Sequence, residues 1–203
     1  MNFFSLLTSI FSVWGAVTET PVFVSMGTYS PEGHVSFEVR DYAASVAAET
    51  CPQNSDESFN ILAEYIGVTS SPANHQSESI PMTAPVVTYQ SQQDTECMQF
   101  ILPESMYGGD VTSAPTPTND DVTIVGRPQM IVAVVTFNGW ASADDFAYHQ
   151  MQLQLAVQQM TAEDGFQWAV KDPAHTENYQ YDGPSTPGPW RTNEAVIELV
   201  KKN

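Results

Sequence analysis

Twice along this chain a strand-like apolar run gives way to a capped helical pattern and then to two further short strands. The first pass opens in Val35 to Thr50 (VSFEVRDYAASVAAET), where Val35, Phe37 and Val39 alternate with Ser36, Glu38 and Arg40. Period-2 alternation of this kind describes a strand with one face buried. Ser55-Asp56-Glu57-Ser58 then offers N-cap chemistry ahead of Phe59, Leu62, Tyr65 and Ile66, which recur at the three- and four-residue spacing of one helix face, and Gly67 is a natural terminator. A polar loop over Thr69 to Ser77 leads to a strand around Ile80 to Tyr89, interrupted by two prolines, and to another at Cys97 to Leu102, which Pro103 ends.

The second pass repeats that order. Tyr107 to Asp121 is rich in Gly, Pro, Thr and Asp and is read as a surface connection between two halves. Met130 to Phe137 (MIVAVVTF) is a nearly continuous β-branched run, as expected of a well-buried strand, and Asn138-Gly139 forms a turn. Ser142 to Asp145 caps a helix that carries Phe146, Leu153, Val157 and Met160 on one face, with Gly165 as its stop. Phe166 to Val170, Asn178 to Tyr181 and Glu194 to Val200 complete the strands, with a loop over Pro184 to Pro189. The class is therefore α+β: two βαββ units that can join into one curved antiparallel sheet carrying two main helices. Such a sheet leaves a cleft where helix meets strand, a usual place for an apolar ligand.

Charge excludes several functions. The 203 residues hold 6 Lys and Arg against 24 Asp and Glu, a net charge of −18 at pH 7. A chain so acidic repels phosphate backbones and anionic membrane faces, so no nucleic-acid partner and no membrane insertion are expected. The length suits one soluble domain, expected to be a monomer.

The compartment is left open. Residues 1–17 (MNFFSLLTSIFSVWGAV) are uncharged and mostly apolar, and residues 1–20 are read as a signal peptide or as an N-terminal arm packed on the domain at 21–203. The stretch falls short of the roughly 20 residues needed to span a bilayer. Scarce lysine and a pair of cysteines favour a secreted or extracellular protein, with a disulfide between Cys51 and Cys97 if their Cα atoms lie within about 7 Å. Two separately buried thiols are the alternative. The missing basic n-region, A-x-A site and Asn-x-Ser/Thr sequon favour a cytoplasmic chain.

Catalytic motifs are absent: the sequence contains no G-x-S-x-G, H-E-x-x-H, P-loop or G-x-G-x-x-G. His34, His75, His149 and His175 are never three to five residues apart, which removes a helix-borne metal pair. His75 and His175 fall in polar loops, His34 opens a strand, and His149 is expected to be a hydrogen-bonded residue at the core edge. Cys51 has no basic neighbour to activate its thiol.

Four ordered segments carry a resemblance. They are Phe37-Glu38-Val39-Arg40-Asp41-Tyr42; the helix Phe59 to Gly67 followed by Ile80-Pro81-Met82-Thr83-Ala84-Pro85-Val86; Phe100-Ile101-Leu102-Pro103-Glu104; and Tyr181-Asp182-Gly183-Pro184 with Arg191-Thr192-Asn193-Glu194-Ala195-Val196. Phe137-Asn138-Gly139 adds a fifth. Together they span roughly residues 35 to 200 and resemble the SOUL family of haem-binding proteins. Ser12 to Val24 also looks like the approach to the first strand in some intracellular members.

The resemblance implies a distorted antiparallel β-barrel of two βαββ halves, as in the effector-binding domains of bacterial regulators. It further implies reversible, non-covalent binding of b-type haem or another porphyrin in a cleft against the first helix, in a carrier or buffer role and without enzymatic activity. Where some members carry a histidine considered as an iron ligand, this chain has Asp41; where basic residues often face the propionates it has Ile61 and Glu64, and Ser79 precedes the Ile80 segment. Contact is therefore expected to be apolar, through Phe59, Leu62, Ala63, Ile66 and Met82, with Arg40 as a candidate anchor. Arg40 and Arg191 are read alternatively as structural partners of buried carboxylates such as Glu194. Pro85 and Thr83 are expected to fix a local turn, with Thr83 bonding nearby backbone. Two other functions fit the same cleft: a module for another apolar small molecule or a protein, and a small-molecule hydrolase using Glu64, Tyr65 or Glu194.

Overall fold

The computed structural model describes residues 18–163 and 165–202, apart from the Asp56 side chain, so the reading of residues 1–17 lies outside the described residues. The chain divides into two compact units, and the division does not follow the chain order. Among the described residues, the first unit is 18–21, Ala44–Pro128 and Asp182–Ser185; the second is Val22–Ala43, Gln129–Tyr181 and 186–202.

The first unit contains β3 (Ser45–Thr50), helix α1 (Ser58–Ile66), β4 (Val86–Gln90), β5 (Glu96–Ile101), the one-turn helix α2 (Glu104–Tyr107) and β6 (Thr123–Arg127). Its strands are antiparallel in the order β4-β5-β3-β6. Leu62, Ala63, Tyr65 and Ile66 of α1 cover one face of this sheet, against Val46 and Ala48 of β3, Val86 of β4 and Phe100 of β5. No side chain caps the start of α1; a 3-10 turn over Ser55–Glu57 leads into it instead. Gly67 ends it in the left-handed conformation (φ 84°), where a Cβ would come within 2.6 Å of Pro72 Cγ.

The second unit contains β1 (Phe23–Tyr29), β2 (Phe37–Tyr42), β7 (Met130–Asn138), helix α3 (Ala143–Thr161), β8 (Trp168–Val170), β9 (Thr176–Gln180) and β10 (Thr192–Lys201). The antiparallel order is β1-β2-β7-β10-β9, with β8 on β10 beyond the end of β9. Leu153, Ala156 and Val157 of α3 pack over Phe37, Val39, Ala133, Val135, Ala195 and Ile197. Ser142 and Asp145 close the reciprocal capping box expected at its N-terminus. The helix stops at Thr161, with Ala162 as its cap, four residues before the glycine read as its terminator.

Both βαββ units are present, β3-α1-β4-β5 and β7-α3-β9-β10, and the α+β class stands. The second unit, however, takes β1 and β2 from the stretch of sequence that precedes the first. The alternating run beginning at Val35 breaks at Ala43-Ala44: β2 pairs with β7 in the second unit, while β3 pairs with β5 and β6 in the first. The strand read as running from Ile80 begins after the cis Ala84–Pro85 bond. Thr83 does not bond its local turn; its hydroxyl donates to the Ile101 carbonyl at the end of β5.

Candidate functional site

Five of the six ligand-contact residues read from the sequence gather in the first unit. Leu62 and Ala63 are 0% exposed, Ile66 1% and Met82 8%, so all four belong to the core beneath α1. Phe59 is half-buried at the margin of that core, its ring edge-on to Phe100 at 5.3 Å between centroids. Ile61, Val68, Met98 and Ile124 complete the margin, each partly buried against the same cluster. The sequence reading did not assign these four to the ligand. Met98 carried a usable signal, since it alternates with Phe100 and Leu102 along one strand face.

Arg40 lies in the second unit, on the sheet face turned away from α3. Its Nη1 and Nη2 donate to the two carboxylate oxygens of Glu194 at 3.0 and 2.9 Å, Nε donates to Glu38 at 2.7 Å, and Nη1 also reaches the Tyr42 hydroxyl at 3.1 Å. The Phe23 ring covers the guanidinium at 4.5 Å. Burial works against the charge, but the hydrogen bonds and attraction of Glu194, with Tyr42 and Glu38 adding, raise the Arg40 pKa above its ordinary value. Glu194 also accepts from the Tyr181 hydroxyl at 2.6 Å and from Thr136 at 3.2 Å. Burial first, then the negative Glu194, holds the Tyr181 phenol neutral, far above its usual pKa. The structural pairing anticipated for Arg40 is thus present. The Arg191 guanidinium stacks over the Trp140 ring at 4.1 Å and donates to the Thr186 carbonyl.

A matching arrangement occupies the helix-free face of the first unit. Glu49 accepts from Tyr89 at 2.7 Å and from Gln99 at 2.6 Å, and Gln99 in turn accepts from Arg127. Arg127 on β6 takes the place that Arg40 on β2 holds in the other unit, beside the central strand that leads into the helix.

The acid-base candidates have other partners or stand in solvent. The Tyr65 hydroxyl donates to the Pro115 carbonyl at 2.7 Å, and its pKa is raised by burial and then by Glu78. Glu194 holds the ion pair, while Glu64 is exposed on α1. His149 lies at the core edge as expected, but its ring stacks on Phe137 at 3.9 Å and its buried Nδ1 has no hydrogen-bond partner. His34 sits in the turn before β2, His75 is exposed and His175 is half-buried. Asp41 accepts from the Gln129 side chain. Among the described residues no group of three or more His, Cys, Asp or Glu is placed to hold a metal ion.

Cys51 and Cys97 form a disulfide with their Cα atoms 4.2 Å apart. They stand one step beyond the Thr50–Met98 pair, so the bond prolongs the β3–β5 ladder. Among the described residues no helix is long and apolar enough to cross a membrane.

Two βαββ units, each with one helix on one sheet face, define an α+β protein built on antiparallel sheet. The family model described as SOUL heme-binding protein matches residues 18–198, and the chain belongs to that family. Among solved structures, the chain is similar to EcmrR in its complex with DNA (13% identity, TM-score 0.52, 82% of this chain and 57% of that one). It is also similar to an uncharacterized conserved protein from Listeria innocua (11% identity, TM-score 0.50, 86% and 95%) and to the EcmrR C-terminal domain (12% identity, TM-score 0.49, 82% and 98%). At these identities the likeness concerns fold alone. No curated protein matches the sequence.

Proposed function

We propose that this protein binds haem or a related tetrapyrrole reversibly and non-covalently against α1, as a carrier or buffer and without catalysis. Membership of the SOUL heme-binding family over residues 18–198 carries this reading. In it, Phe59 and Ile61 meet the macrocycle, and Leu62, Ala63, Ile66 and Met82 form the apolar floor that holds them in place. Arg40 serves as a structural residue, its guanidinium shared between Glu194, Glu38 and Tyr42. A secreted or extracellular location agrees with the Cys51–Cys97 disulfide, since such bonds persist in oxidising compartments.

Titration with hemin, followed at the Soret band, tests the proposal. The expected result is a saturable one-to-one shift that Phe59→Ala weakens by about tenfold, in line with loss of a buried aromatic contact. Saturation no better than that of an unrelated acidic protein would overturn it.

A further inference from the structure

Resting on the α1 site just proposed, we infer that among tetrapyrroles it prefers those whose carboxylates are esterified, amidated or absent, and holds those with free propionates, haem among them, more weakly. The argument begins with where the six basic residues lie. Segments 18–21, 44–128 and 182–185, the described residues of the first unit, contain thirteen Asp and Glu and a single Lys or Arg, Arg127. Arg127 is 7% exposed and donates to Gln99 on the sheet face opposite α1.

The remaining cations belong to the second unit. Arg40 and Arg191 are each 7% exposed, the first held by Glu194 and the second stacked on Trp140. Lys171 pairs with Glu198, Lys202 donates to the Thr161 carbonyl, and Lys201 ends β10. No basic side chain of the first unit therefore stands at the surface among the described residues.

The exposed polar groups of α1 include Asn60 and Glu64, with Glu57 just before it, and they alternate with Phe59 and Ile61, the two margin residues that α1 supplies. A macrocycle resting on that margin gains from apolar contact. Its free carboxylates would meet like charge, and the described residues of the first unit offer no exposed ammonium or guanidinium to offset their loss of water. Capping the carboxylates removes the repulsion and leaves the apolar contact unchanged.

The test compares protoporphyrin IX with its dimethyl ester by fluorescence titration of the full chain, at low and at high salt. The expected result is that the ester binds about tenfold more tightly at low salt, and that the gap narrows as salt screens the repulsion. Glu64→Lys should tighten the diacid by about fivefold through the reversed charge beside it, while leaving the ester unchanged. Equal affinities at low salt, or a diacid unaffected by Glu64→Lys, would overturn the charge selection while the tetrapyrrole reading stands. Failure of both compounds to bind would overturn the two together.

Discussion

Arg40 and Glu194, 154 positions apart in the chain, meet as a two-point ion pair in which both terminal guanidinium nitrogens and both carboxylate oxygens are used. Side-chain exposure is 9% for the arginine and 6% for the glutamate, so neither partner has water to fall back on. Removing one alone strands a buried charge. Arg40→Met or Glu194→Leu should cost about 3–5 kcal/mol in chemical denaturation, and the double substitution much less than the sum. Arg40→Lys should also destabilise, because an ammonium cannot reproduce the planar fork.

The disulfide joins residues 46 apart along the chain. Closing a loop of that length restricts the unfolded ensemble, and chain-entropy reasoning assigns it about 4 kcal/mol. Cys51→Ala with Cys97→Ala should lower stability toward that amount while keeping the β3–β5 pairing, as read by denaturation and circular dichroism.

Acid should destabilise the second unit through His149. Burial, opposed in part by Asp145, lowers the pKa of this imidazole below its ordinary value. Protonation would place a second N–H donor at the buried Nδ1, which has no acceptor. The unfolded chain therefore takes up the proton first. The stabilisation is complete above the unfolded pKa near 6.5 and is lost as pH falls through the lower folded value. His149→Phe should flatten the melting-temperature profile between about pH 7 and 5, and an unchanged slope would count against this assignment.

The α3 capping box offers a local test. Ser142 accepts from the Asp145 backbone N–H, and the Asp145 carboxylate accepts from the Ser142 N–H at 2.9 Å. Hydrogen bonds to Ser142 also hold the Asp145 carboxyl below its usual pKa. Ser142→Ala should cost about 1 kcal/mol without altering the fold. Fraying confined to the first turn of α3 in hydrogen exchange would locate the loss.

Local chemistry made much of the candidate site legible. Spacing placed Phe59, Leu62 and Ile66 on one face of α1, and the Ser142 cap announced α3. Scarcity of cations made the Arg40–Glu194 pair a reasonable expectation. The margin of Ile61, Val68, Met98 and Ile124 was not legible, because a residue's half-burial depends on what other segments leave uncovered. β6 escaped notice for a related reason: five residues containing Gly126 make too short a pattern to stand apart from a loop.

By itself the sequence determined the kind and order of the elements, the apolar face of each helix, the acidic balance and the family motifs. These are properties of neighbouring residues, written in period, capping chemistry and composition. Tertiary structure alone decided which strands share a sheet. Alternation marks the buried face of β2 but carries no address for its partner, and pairing with β7 is set by register between segments some ninety residues apart. The same long-range packing sent Thr83 to Ile101 instead of its own turn, and it closed into core most of the α1 residues that the sequence offered for ligand contact. It also left the first unit's one guanidinium buried beside Gln99, away from any ligand at α1.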